Sequence, residues 1–145
     1  LCAISPSSVL LKRSLFEEVG GFDESLVACE DYDLWLKICS RYPVTYLDKP
    51  LLKKYGGHKD QLSRQHWGMD RFRIRALENF VRSENFTENI TEAQRRETLN
   101  TLIRKCKIMS QGAAKRGNTE RSQKYAKKVN LILNEFSQYL PAIPE

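Results

Sequence analysis

The chain has 145 residues of which 41% are hydrophobic, enough for a globular core of ordinary single-domain size and too many for a disordered segment. No apolar run approaches the roughly 20 residues of a membrane helix, and the start lacks the basic and apolar regions of a signal segment. The net charge of +6 is uneven, with 13 basic against 12 acidic residues in 1–84 and 11 against 6 in 85–145; no nucleic-acid reading motif accompanies it, so nucleic acid is not an expected partner.

In chain order, Leu1 stands where a Met would open a complete protein, and the run 1–4 reads as strand already under way, so a piece of a longer protein is expected. Residues 9–11 read as a short strand. Ser14 followed by Glu17 fits a capping box, and Gly20 and Gly21 supply the stop, which predicts a helix of one or two turns. A second helix is expected from about Cys29 to Tyr42, ended by Pro43, with Leu34, Ile38 and Tyr42 on one face.

Residues 44–47 and 51–55 read as strands around the turn Asp48, Lys49, Pro50. Gly56 and Gly57 open a loop to about Ser63, and a third helix is expected over 64–82, with Phe72, Ala76, Leu77 and Phe80 at helical spacing. Trp35 and Trp67 read as packing residues. Beyond residue 85 the pattern is helical only. Thr91 and Gln94 form a capping-box pair, and Leu99, Leu102, Ile103, Cys106 and Met109 recur every three or four residues. Gly117 and Asn118 mark a turn, and Tyr125, Ala126, Val129, Ile132, Leu133 and Phe136 make a second stripe, which predicts an antiparallel helical hairpin. The expected division is therefore 1–84, part of an α/β domain whose other strands lie outside the sequence, and 85–145, a helical extension.

Cys2, Cys29, Cys39 and Cys106 show no CxxC spacing, so neither a zinc site nor a disulfide framework is implied, and reduced thiols in cytoplasm are expected. The triplets starting at Asn85 and Asn89 match the glycosylation pattern, which matters only in a secreted chain. The densest group of candidate ligands or bases is Asp23, Glu24, Glu30, Asp31 and Asp33. Helix capping explains part of it, since an anion in the first turn is stabilised by about 0.3–1 kcal/mol, and Asp33 is expected to face solvent.

The string VGGFDESLVACEDYDLWLKI at 19–38, continued by RYPVTYLDKPLLKKY at 41–55 and GGHKDQLS at 56–63, resembles the acceptor side of family 2 inverting glycosyltransferases. The resemblance implies the C-terminal part of a GT-A, Rossmann-like α/β domain, helix-rich in this stretch, that transfers a sugar from a nucleotide-sugar donor to an acceptor hydroxyl. It implies Asp31, the Asp of the Glu-Asp pair, as general base, and Glu30, Asp23, Gln61, Ser63 and Arg64 as contacts to acceptor or donor. His58 would approach the diphosphate or its metal. Asp31, Tyr32, Asp33 imitates the metal-binding DxD triplet, but it follows GFDE and opens a helix, whereas the family's metal motif follows a strand earlier in the chain. A divalent ion, Mg or Mn, is thus expected in the full-length enzyme and not bound tightly here.

Gln65 stands where processive relatives carry the Trp of QxxRW, so a non-processive enzyme is expected. The implied partners are a nucleotide sugar and a glycan or lipid-linked acceptor in bacterial surface polysaccharide assembly, in cytoplasm or at the inner face of the membrane. The piece alone is expected to be inactive. The competing reading is a non-enzymatic interaction module presenting the basic hairpin to a partner, with the acidic turn serving only as a cap.

Overall fold

The computed structural model describes residues 4–53, 55 and 65–140. The chain divides into two compact units, 1–76 and 77–145. Among the described residues every regular element is helical.

In the first unit a 3-10 turn, Pro6–Ser8, precedes α1, Arg13–Glu18, and α2, Glu30–Cys39. Leu34, Trp35 and Ile38 of α2 are buried, and Ile4, Val9, Leu11, Leu15, Phe16 and Val19 pack on them, so one short helix gathers most of the described apolar side chains before Gly20, while Leu10 stays exposed. The helix expected from Ser14 starts one residue earlier: Lys12 is its N-cap, and Ser14 lies inside it without capping. α1 stops where expected, because Gly20 and Gly21 adopt φ of 83° and 64°. At Gly21 a Cβ would stand 3.2 Å from the Phe16 ring, which itself meets Phe22 edge-on at 5.3 Å. α2 ends at Cys39, and Tyr42 is not part of its buried face: it is 37% exposed and donates its hydroxyl to Glu18 Oε1 at 2.6 Å.

The strands expected at 9–11, 44–47 and 51–55 are not found among the described residues, and the run 1–4 lies outside them apart from Ile4. Val9 has extended geometry, φ −115° and ψ 135°, but a strand also needs a ladder partner, and the described residues offer none. Around 44–53 the apolar side chains that motivated strands are exposed, Tyr46 to 83% and Leu51 to 69%, so no sheet face covers them. The expected α/β class is therefore met only by helices in the described residues. The loop 56–64 lies outside them, and with it His58, Gln61, Ser63 and Arg64.

α3, Asp70–Val81, makes up the larger part of the helix expected over 64–82; Gln65 is also helical, and a turn in which Gly68 adopts φ of 60° precedes α3. It runs across the boundary between the units. The second unit continues with α4, Glu84–Glu88, then the long pair α5, Glu92–Ala114, and α6, Thr119–Glu135, and a closing 3-10 turn Ser137–Tyr139. The hairpin forms as the periodicity required. The Thr91 side chain accepts from the Gln94 amide while Gln94 Oε1 accepts from the Thr91 amide, the expected capping box. Gly117 turns at φ of 70°, and Asn118 caps α6 by accepting from the Arg121 amide.

Leu99, Leu102, Ile103, Cys106 and Met109 face Tyr125, Val129, Ile132 and Phe136 in a buried seam, from which Ala126 alone of the expected stripe is exposed and Leu133 is half-buried. Phe86 of α4 anchors one end, edge-on to Phe80, Phe136 and Tyr139 with centroids 6.3, 5.8 and 5.7 Å away. Arg95 then donates to the Phe86 and Thr87 carbonyls, closing the otherwise unpaired C-terminal end of α4. Asn85, in the first glycosylation triplet, is 8% exposed and accepts from Asn89 at 2.9 Å, so its amide is committed to packing.

Candidate functional site

The acidic cluster folds into a turn and the helix that follows it. Asp23 bends the chain: its Oδ1 accepts from the Ser25 amide at 2.9 Å and from the Ser25 hydroxyl at 2.5 Å, and the Leu26 amide returns to the Asp23 carbonyl at 3.0 Å. Arg75 of α3 completes this link by donating to Ser25 Oγ at 3.1 Å. The bond from the Ser25 hydroxyl, aided by the Ser25 amide and by the Arg75 and Lys37 charges, holds the Asp23 carboxyl below its ordinary range against a smaller effect of burial. Asp23 therefore shapes the turn, a role signalled in the sequence by a Ser two residues after an Asp.

Leu26, Ala28 and Cys29 are buried behind the turn, and Cys29 reaches α2 through a left-handed backbone, φ 61° and ψ 25°. A buried side chain other than Gly in that region is costly and persists only where its surroundings hold it. One such contact is its Sγ, 3.8 Å from the Met69 carbonyl oxygen, which ties the start of α2 to the turn before α3. This strained entry sets the direction of the first turn of α2, in which Glu30, Asp31 and Asp33 stand.

The three carboxylates part there. Glu30 and Asp31 are half-buried, so both remain within reach of a solute. Asp31 Oδ1 accepts from the Tyr32 amide at 2.8 Å, an amide that also reaches the Cys29 carbonyl at 3.1 Å, and this bond fixes the orientation of the carboxylate. Asp33, expected in solvent, is 4% exposed instead; it lies two residues on, about 200° round the helix from Asp31, and Lys37 Nζ sits 2.7 Å from its Oδ2, close but not aligned as a hydrogen bond. The Asp31, Tyr32, Asp33 triplet thus points its two acids to different surroundings, one toward solvent and one into an internal ion pair, and does not make a two-pronged cation site.

Among the described residues no three His, Cys, Asp or Glu side chains gather as a metal-holding group, so the divalent ion has no donor set there, and no step is assigned to it. Trp35 is buried as expected, whereas Trp67, also read as a packing residue, is 48% exposed. No helix of the described residues is long and apolar enough to cross a membrane.

Residues 1–89 match the family described as glycosyltransferase like family 2. A stretch of 58 residues, 40% of the chain, is 43% identical to an uncharacterised glycosyltransferase of Rickettsia bellii, of which it covers 8%. The corresponding identities with uncharacterised glycosyltransferases of Rickettsia felis and Rickettsia conorii are 38% and 40%, covering 10% and 9% of those proteins. The aligned stretch thus spans about a tenth of the length of these curated relatives. No solved structure matches the chain.

Proposed function

Because the chain belongs to the glycosyltransferase like family 2, we propose that it carries the acceptor side of a sugar transferase, with Asp31 as the base that accepts the acceptor's proton. The observation that carries this reading is the separation of the acids in α2: Asp31 is half-exposed and oriented by the Tyr32 amide, while Asp33 is buried against Lys37. Only a carboxylate that a substrate can reach, and whose direction is set beforehand, suits proton abstraction. The Asp23–Ser25 turn and the left-handed Cys29 hold it there.

In the proposed reaction an acceptor hydroxyl oxygen forms a bond to the anomeric carbon of a nucleotide sugar. The bond from that carbon to the diphosphate breaks on the opposite face, the diphosphate leaves with the electron pair, and the hydroxyl proton passes to Asp31. Attack opposite the leaving group inverts the anomeric centre, through a transition state with oxocarbenium character. Glu30 belongs on the acceptor side in this reading, and Asp23 supports the site through the turn it bends. Gln61, Ser63 and Arg64 remain proposed contacts to donor or acceptor in the parent enzyme, and His58 a proposed contact to the diphosphate or its divalent ion. Cytoplasmic action on a surface-glycan acceptor accompanies the proposal.

Asp31→Asn in the full-length parent tests the role. The amide keeps the shape but accepts no proton, so transfer is expected to fall by about 10²–10⁴-fold while donor binding, measured by calorimetry, is unchanged. Turnover within a few-fold of the parent would remove Asp31 from the mechanism.

A further inference from the structure

The second unit contains a long run without an acid. Between Glu97 and Glu120 stand five basic residues, Arg104, Lys105, Lys107, Lys115 and Arg116, on α5 and the turn that follows it. The inner side of α5 is committed to α6 through Leu102, Cys106 and Met109. Its outer side is built differently. At about 100° per residue, Asn100, Arg104, Lys107, Ile108, Gln111 and Lys115 fall within about 100° of arc and form one stripe, roughly 20 Å long, turned away from the seam. All six are exposed, Ile108 to 52%.

The cations of the stripe carry no countercharge. Among the described residues no carboxylate pairs with Arg104, Lys107 or Lys115, and Arg104 donates only to Thr101 Oγ1 at 3.4 Å. Ile108 thus stands as a single aliphatic side chain between free cations and amides.

We infer that this outer face of α5 docks on an anionic membrane, the helix lying flat with Ile108 set into the headgroup boundary and Arg104, Lys107 and Lys115 among lipid phosphates. Contact is with the surface, since no helix of the described residues is long and apolar enough to cross a bilayer. The inference goes beyond the sugar-transfer reading and does not depend on Asp31, so each can fail without the other. The composition of the stripe selects the partner. Unpaired cations call for a polyanion, and like charge opposes a second copy of the same face. An acidic protein is the weaker match, because lysine is depleted from the cores of protein interfaces and two of these three cations are lysines. Single-stranded nucleic acid is held by a basic track with aromatic side chains for the bases, whereas this stripe has an aliphatic centre and no ring. An anionic bilayer accepts both features. Its phosphates attract the cations, the long stems of Lys and Arg keep the charged heads in water, and the acyl boundary takes the aliphatic group.

The test sediments the 145-residue chain with vesicles of phosphatidylcholine, with or without about a third phosphatidylglycerol. The chain should pellet with the anionic vesicles, remain in solution with the neutral ones, and be released as salt rises from about 0.1 to about 0.5 M. Arg104→Gln, Lys107→Gln and Lys115→Gln together should weaken binding about 100-fold, or about fivefold for each cation. Ile108→Ala should weaken it roughly three- to tenfold. Lys12→Gln, Lys49→Gln and Lys53→Gln together remove the same charge from exposed positions of the first unit and should leave binding within about threefold. Circular dichroism melting checks that each variant is folded, and Lys107→Gln alone, with its fivefold loss, carries the test should the triple variant melt early.

No binding, equal binding to both kinds of vesicle, equal losses in the two triple variants, or unchanged binding of Ile108→Ala would overturn the inference. Duplex DNA and polyglutamate serve as competing polyanions. Tighter binding to either, lost in the Arg104, Lys107 and Lys115 variant, would give the face to nucleic acid or to an acidic protein and take it from the membrane.

Discussion

At the scale of single residues, the most instructive contrast is between Asp31 and Asp33. Both were legible as first-turn acids of a helix, and Asp33 was expected in solvent. The structure inverts that for Asp33: it is 4% exposed although it stands about 100° or more round α2 from Leu34 and Ile38, and Lys37 one turn later supplies the countercharge. Nothing in a local pattern distinguishes a solvated acid from one paired inside, since the difference lies in what packs against the helix. The two partners are unequal: side-chain exposure is 5% for Asp33 and 28% for Lys37. Lys37→Met should therefore destabilise the chain by about 2–4 kcal/mol by leaving a buried anion, somewhat less than a fully enclosed pair because Lys37 is partly wet. Asp33→Asn should cost less, since the freed ammonium can turn to water. Urea unfolding midpoints compare the two, and an equal or reversed order would show that the ion pair does not govern this helix. Cys106 offers a second test. Burial, reinforced by the Glu78 carboxylate and opposed by Lys128, raises its thiol from 9.0 to about 11. Between those values the unfolded chain loses the proton that the folded chain keeps, so stability is fully present below pH 9 and declines as pH rises to about 11. The loss should reach about 2 kcal/mol and be absent in Cys106→Ala, so the difference between the melting profiles of the two proteins across this window isolates it from lysine and tyrosine titration.

At the scale of elements, legibility followed the origin of the stabilising contacts. The hairpin of α5 and α6 could be read nearly to the residue, because its cap, its turn and its two stripes are all local or separated by a few helical turns. Thr91→Ala removes the side chain that accepts the Gln94 amide and frees the Gln94 side chain from its reciprocal role, so it should cost about 1–2 kcal/mol. Chemical denaturation measures this, and Thr91→Ser, which keeps the oxygen, should recover most of the loss; failure of Ser to rescue would assign the effect to the lost methyl instead. The strands expected at 9–11, 44–47 and 51–55 show the opposite case. A short apolar run and a bounding turn describe a segment prepared to pair, but pairing is a property of two segments, and the run gives no sign of whether a partner is within reach. α1 and α3 kept their existence, and α1 lost its expected start, since Ser14 matched a start signal that the backbone did not use. The turn before α3 had one readable mark in the sequence, Gly68.

At the scale of the whole molecule, the first unit brings together a fixed turn, a strained helix entry and an accessible, oriented acid, and in the proposed reading these serve one partner of a two-substrate reaction. The family match ends at residue 89, and the aligned stretch covers about a tenth of the curated relatives. A base accelerates transfer only when the anomeric carbon of a donor is held within reach of the acceptor oxygen, and positioning of two reactants accounts for a large part of such catalysis. The described residues bring together no cation-holding group for a diphosphate. The expectation that follows is a separation of binding from turnover: the chain alone should bind an acceptor saccharide and show no donor-dependent transfer, whereas the full-length parent should do both. Incubating each with radiolabelled nucleotide sugars and a panel of saccharide acceptors makes the comparison. Labelled product from the chain alone, abolished by Asp31→Asn, would keep the base and refute the division of labour, because donor binding would then have to arise within these 145 residues.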